Sequence, residues 1–440
     1  MNLTKKLRNL TIKQYILLVI LVQLSGLIFS YLNLWDYERC TVVLSRNLNL
    51  FNFSFELLYP KMCDEPFYFH GFQQFDLIYE YGYVYQDRQL YLLIGFILYR
   101  FFYILFFIFQ FSIDTSSLLL LTSLIIQFVV LNLSTYLVNL IINKKNDRVY
   151  FLVYFLILLF SFEQRRYLFL PSNSTLYFLI FVFSIYSIHH KKLNGFLFGL
   201  LFTISGYGVI GFIYLLLHEV IKRKNNYKNI FLNIFLFLIP SLFFELIRIT
   251  LGYLRGPQSG VKYIYASEKY QQFVWFFKSF FNNYVPLNDC QTLNNFYNCY
   301  FDETFRYFNI MKNYYVVLFL LLTVSVIHKK NQKIQLQIDI IAFTFFSYLF
   351  IAFQGYYGFR IIYYSLGFSL FLLICVYISN IQDLLISILI VTFIGSYTLS
   401  RDSLIEFSKF LNLSTFEIFL FLILIFLILR KLFVKPSLLS

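Results

Sequence analysis

Charged residues are scarce in this chain: 13% of its 440 residues are Asp, Glu, Lys or Arg, against 59% hydrophobic, and the mean hydropathy is +0.68. A water-soluble globule is thereby excluded, because that much apolar surface exceeds what a core can hide, and the chain reads as a polytopic membrane protein. Cysteine is scarce too, five in all, with no spacing that suits a metal. A Gly-rich phosphate loop, a nucleophile elbow and a Cys/His cluster are all missing, so the common nucleotide-binding, hydrolase and zinc chemistries have no carrier here. No internal repeat of transporter type is visible, which disfavours a carrier. The first apolar run, Tyr15 to Leu34, follows Lys5, Lys6, Arg8 and Lys13, but it is too long for a signal peptide and lacks a small-residue cleavage site. It reads as a retained first span.

Acids are fewer than bases, 22 against 36, for a formal charge of +14. The bases are dispersed over loop ends, where anionic lipid headgroups answer them, so no nucleic-acid partner is expected. What is present is a sorting of charge by side. If the apolar runs are spans and the loops alternate, one face collects Lys5 to Lys13, Lys144, Lys145 and Arg148, Lys191 and Lys192, Lys222 to Lys228, Lys329 to Lys333, and Arg430 to Lys435. Only Asp147, Glu219, Asp339 and Asp383 lie on or beside that face. Short basic loops mark the cytoplasmic side. The opposite face, long-looped and carboxylate-rich, is where chemistry is to be sought.

With spans of about 20 residues, the expected architecture is all-α, one integral membrane domain over residues 1–440 with about twelve transmembrane helices and both termini inside. A first extracytoplasmic loop covers residues 35–89 and a second long one residues 251–312. Two apolar runs, Leu90 to Ser112 and Ser116 to Asn143, precede the Lys144 cluster. Were both to cross, every later loop would break the charge rule. Residues 90–112, which carry Arg100, are therefore expected as an interfacial helix at the outer surface; splitting the Ser116 run into further crossings keeps the parity as well. Leu193 to Ser205 and Tyr207 to Glu219 read as a tight out-and-back pair joined at Ser205-Gly206. Cys40, Cys63, Cys290 and Cys299 fall in the two long outer segments, on the oxidising side. The local pair Cys290/Cys299 is the first disulfide candidate and Cys40/Cys63 the second.

Span 1 ends in Trp35-Asp36-Tyr37-Glu38-Arg39-Cys40, so two carboxylates are held at the membrane surface by a helix end. A general base must be fixed within reach of the hydroxyl it activates, and a helix terminus supplies that fixity. The same residues also suit a plain water boundary with Trp35 as aromatic anchor. Anionic groups at the outer surface would be met by Arg165 and Arg166, by Arg255 and Lys262, or by Arg360 in Gln354-Gly355-Tyr356-Tyr357-Gly358-Phe359-Arg360. Each of these arginines equally suits snorkelling at the interface. The aromatic residues of 251–312, among them Tyr263, Tyr265 and Trp275, suit either a cover over a cleft or the interface itself.

The first span, the long acidic loop behind it, and the stretch Tyr81-Gly82-Tyr83-Val84-Tyr85-Gln86-Asp87-Arg88-Gln89-Leu90-Tyr91 together resemble the GT-C superfamily of integral membrane glycosyltransferases. Bacterial members commonly have a proline where this chain has Gln89. The resemblance implies a GT-C-like fold with a juxtamembrane helix after that stretch, where charge parity also asks for one. It implies a polyprenyl-phosphate-linked sugar as donor and a glycan, lipid or protein as acceptor. It implies an inverting transfer in which Asp36 is the base, Glu38 its nearest substitute, Arg88 positions the loop, and Arg165, Arg166, Arg255 or Arg360 meets the leaving phosphate. Many members carry a further acid at the head of the span after the second outer turn; this chain has Pro171-Ser172-Asn173-Ser174 there and Glu163 earlier, which leaves a divalent cation open as cofactor. The location implied is the bacterial inner (plasma) membrane, with the active site outside. Two rivals remain: an O-antigen or exopolysaccharide polymerase, relying on outer arginines rather than on first-loop acids, and a lipid-linked oligosaccharide flippase, which needs polar residues lining the middle of its spans.

Overall fold

The computed structural model describes residues 11–21, 42–50, 53–61, 65–76, 88–111, 113–143, 174–190, 193–205, 207–222, 227–255 and 331–353, with residues 151, 154, 368–369, 371–373 and 375–376. In chain order the elements are α1 (Ile12–Leu21), β1 (Val42–Leu50), β2 (Phe53–Lys61), α2 (Glu65–Gln73), α3 (Gln89–Ile108), α4 (Thr115–Asn143), α5 (Ser174–His190), α6 (Gly195–Ile204), α7 (Gly208–Lys222), α8 (Tyr227–Arg255) and α9 (Asn331–Phe353). Among the described residues, three helices are long and apolar enough to cross a membrane: Gln89–Ile108, Thr115–Ile142 and Tyr227–Ile247.

The helices follow the apolar runs, and their ends are set by local chemistry. Helix α3 stops in a Schellman arrangement: Gln110 N–H donates to the Phe107 carbonyl, Phe111 N–H to the Phe106 carbonyl, and Gln110 takes φ 53°. The Phe111 ring packs edge-on against Phe106 at 6.1 Å, the apolar contact that accompanies this motif. Four residues further, Asp114 caps α4, its carboxylate accepting from Ser117 N–H at 3.1 Å and from the Ser116 and Ser117 hydroxyls. Asp114→Ala is expected to cost about 1 kcal/mol, and Asp114→Asn distinctly less because it keeps an acceptor. Unfolding of the detergent-solubilised protein by SDS measures this; equal losses in the two variants would remove the cap from the account.

One expectation is corrected. Residues 42–61, inside what the sequence analysis takes as an all-α fold, pair as an antiparallel ribbon in which Val42 faces Lys61 and Leu50 faces Phe53. Valine, leucine and aromatic residues suit such pairing, and the register leaves two residues for the connection. Helix α8 also runs on to Arg255, into the segment expected as loop, and stops where Gly256-Pro257 follows.

Helices α5 to α9 gather with their basic loops at one end. Gly195 N–H donates to Asn233 Oδ1 at 2.9 Å, which sets the start of α6 beside the start of α8. His189, at the end of α5, lies 3.6 Å from Asp339 in the third turn of α9. Gln335 Nε2 donates to the other oxygen of Asp339 at 2.8 Å. These contacts bring the flanks of Lys191-Lys192, of Lys222 to Lys228 and of Lys329 to Lys333 to a common end of the bundle, as the alternation of loops requires.

Helices α6 and α8 run parallel and very close. A Cβ added at Gly195 would lie 1.9 Å from the Asn233 carbonyl oxygen, and one at Gly199 would lie 2.3 Å from that of Phe237. Helix α6 has 10 residues, about 15 Å, and α7 has 15, about 22 Å, both short of a hydrocarbon core of about 30 Å. Between them Ser205 and Tyr207 are buried, Gly208 N–H donates to the Ser205 carbonyl at 3.0 Å, and the Tyr207 ring packs edge-on against Tyr177 in the first turn of α5 at 5.7 Å. Continuing the spacing of the glycine contacts puts the end of α6 level with about residue 242 of α8, so about 20 Å of α8 extends past the turn.

Candidate functional site

The end opposite the basic loops is closed by one buried cluster. It joins Tyr68 and Phe72 of α2, Tyr91, Leu92, Tyr99 and Phe106 of α3, Leu118 and Leu119 at the start of α4, Leu176 and Leu179 at the start of α5, and Ile204 at the end of α6. Ile247 of α8 packs against it. The cluster places the α2–α3 pair at the end where the sequence analysis seeks chemistry.

Helix α3 packs on α4 through the buried cluster, to which Tyr91, Leu92, Tyr99 and Phe106 belong. Its other face is open: Phe101, Tyr103, Ile104, Phe107 and Ile108 are exposed. This apolar surface has no protein cover among the described residues.

Helix α2 packs along the first half of α3. Glu65, Tyr68 and Phe72 occupy positions i, i+3 and i+7 and are all buried, so they form the face that meets α3. Tyr91 receives Tyr68 and Phe72 edge-on, at 5.4 and 5.5 Å. Phe72 occupies the notch left by Gly95, where an added Cβ would fall 2.1 Å from the ring. Arg88, at the N-cap of α3, donates to the Tyr68 hydroxyl and lies 5.5 Å from the centre of that ring. Arg100, just over three turns on, donates to the Gln73 carbonyl at 3.1 Å and lies over Phe96 and Tyr99.

Of the residues that the sequence singles out, Arg88 sits at this corner, against Tyr68. Arg255 is the final residue of α8. Asp36, Glu38, Glu163, Arg165, Arg166, Arg360, Cys40, Cys63, Cys290 and Cys299 lie outside the described residues. Glu65 was not singled out, yet its side chain is 4% exposed while Asp76, in the same loop, is exposed. The i, i+3, i+7 spacing of Glu65, Tyr68 and Phe72 was the available signal.

Thr122, Ser134 and Thr135 of α4, Ser184 of α5 and Thr344 of α9 each donate to the carbonyl four residues back, at 2.7 to 2.8 Å. Thr344 also meets the Ser369 hydroxyl, and Gln127 and Asn139 of α4 and Gln337 of α9 are buried too. Among the described residues, no group of three or more His, Cys, Asp or Glu side chains is arranged to hold a metal ion. Compared with family models, with curated proteins and with solved structures, the chain matches none.

Proposed function

We propose that this chain is a membrane glycosyltransferase that moves a sugar from a polyprenyl-phosphate donor to a glycan, lipid or protein acceptor at the extracytoplasmic face. The observation that carries the reading is the separation of two ends. Helix ends that flank basic segments meet at one, while α2, fastened on α3, joins the buried cluster at the other. On this reading the chain has about twelve spans, sits in the bacterial inner membrane, and lays α3 across the outer surface with its exposed aromatic face in lipid.

The acceptor hydroxyl gives its proton to the Asp36 carboxylate as its oxygen attacks the anomeric carbon. The bond from that carbon to the phosphate oxygen breaks, and its electron pair leaves on polyprenyl phosphate with inversion at the sugar. Negative charge grows on the leaving phosphate, so fixed cations there lower the barrier. Arg360, Arg165, Arg166 and Arg255 are the groups assigned to it.

The test is release of lipid phosphate. Membranes holding the chain, incubated with labelled polyprenyl-phosphate sugars and a mixed glycan acceptor, are expected to release polyprenyl phosphate, with the label passing to acceptor. Label that crosses the bilayer still attached to its lipid would instead identify a carrier.

A further inference from the structure

We infer that Arg100 is a positioning residue, which by holding the end of α2 fixes the first outer loop against α3. Arg100 is exposed on an apolar helix, and its guanidinium is turned back onto protein. It donates to the Gln73 carbonyl at 3.1 Å, at the C-terminal end of α2, where a helix leaves carbonyls that it cannot satisfy itself and where a cation is favoured. Its plane rests 5.3 Å from the Phe96 ring and 5.9 Å from that of Tyr99. The other end of α2 is held by Arg88 through Tyr68, and between the two the Phe72 ring fills the Gly95 notch. With nine residues, α2 is too short to be stable alone, so its place depends on its hold on α3, to which these contacts and the Tyr91 ring contribute. That the loop so placed serves sugar transfer rests on the glycosyltransferase reading; that Arg100 places it does not.

Amide exchange on the full-length protein in detergent tests the inference without a substrate. Arg100→Leu is expected to speed exchange in residues 65–73 by about tenfold while α4 and α5 stay unchanged, and Arg100→Lys, which keeps a donor, to do so by less than about threefold. A disulfide between Phe72→Cys and Gly95→Cys is near the required separation, since a Cβ on Gly95 lies 2.7 Å from Phe72 Cγ. Formed with a mild oxidant, it is expected to restore protection to the Arg100→Leu protein. In turnover, Arg100→Leu is expected to lower kcat about tenfold with the KM for polyprenyl-phosphate sugar unchanged, and the cross-link to restore kcat.

Unchanged exchange in α2 of the Arg100→Leu protein overturns the inference. So does a loss of kcat that persists once the cross-link has restored protection, because Arg100 would then touch substrate. If the wild-type protein transfers no sugar from any donor, the glycosyltransferase reading falls, and the exchange result still decides what Arg100 does.

Discussion

Asp36→Asn is expected to slow release of polyprenyl phosphate by about 10²- to 10⁴-fold, the range lost when a positioned general base is removed. Asparagine keeps the size and shape of the side chain but cannot take the acceptor proton, so expression and donor binding are expected to stay at wild-type levels. The donor is held by its phosphate, which on this reading is met by arginines from other loops, and its KM is expected to change little. Glu38→Gln measures the nearest substitute and is expected to lose far less. A polymerase that works through outer arginines predicts the reverse order, with first-loop acids dispensable and arginine substitutions severe. Full activity in the Asp36→Asn protein would remove Asp36 from the mechanism.

The common end of several helices was legible because charge is written loop by loop. Each short basic segment signals its side whatever its span packs against, and the contacts of Gly195 with Asn233 and of His189 with Asp339 bring together helix ends that flank three such segments. Element ends were less legible. In a chain that is 59% hydrophobic the apolar run continues through caps and turns, so Leu193 to Ser205 reads as a span although α6 has 10 residues. The ribbon of residues 42–50 and 53–61 did carry a signal, the alternation in Asn47-Leu48-Asn49-Leu50 and Asn52-Phe53-Ser54-Phe55-Glu56, but it stands in a segment read only as an acidic loop.

The α2–α3 corner was illegible for a different reason. Arg100 meets a backbone carbonyl 27 residues away, and the notch at Gly95 is recognisable only once Phe72 stands beside it. Arg100 could be marked as an anomaly in an apolar run, but its partner is a main-chain atom, which residue identity does not reveal. Glu65 was one acid among many in the first loop until its helix face was known.

Gly195→Ala and Gly199→Ala are each expected to destabilise the protein by about 3 kcal/mol or more, well beyond the usual effect of adding one methyl group. Real Cβ contacts essentially never fall below 3.0 Å, whereas the added atoms would lie 1.9 Å from the Asn233 carbonyl oxygen and 2.3 Å from that of Phe237. These are backbone atoms inside a helix, so no side chain can swing aside and the two helix axes must separate. Small residues one turn apart are what permit helices to approach this closely in a membrane. Separation would break the 2.9 Å bond from Gly195 N–H to Asn233 and lift α6 from the Pro240 ring, whose Cδ lies 3.0 Å from the added atom at Gly199. Helix α8 is exposed to this loss because only 17% of its apolar window is buried and α6 is its main partner. Gly211→Ala supplies the contrast: its Cβ would lie 2.2 Å from Ser184 Oγ and 2.8 Å from Phe198 Cε1, both side-chain atoms that can shift, so a loss of about 1 kcal/mol is expected. SDS unfolding of the three variants in one detergent ranks them. A Gly211 variant as damaged as the other two would show that packing density, not backbone approach, governs this part of the bundle.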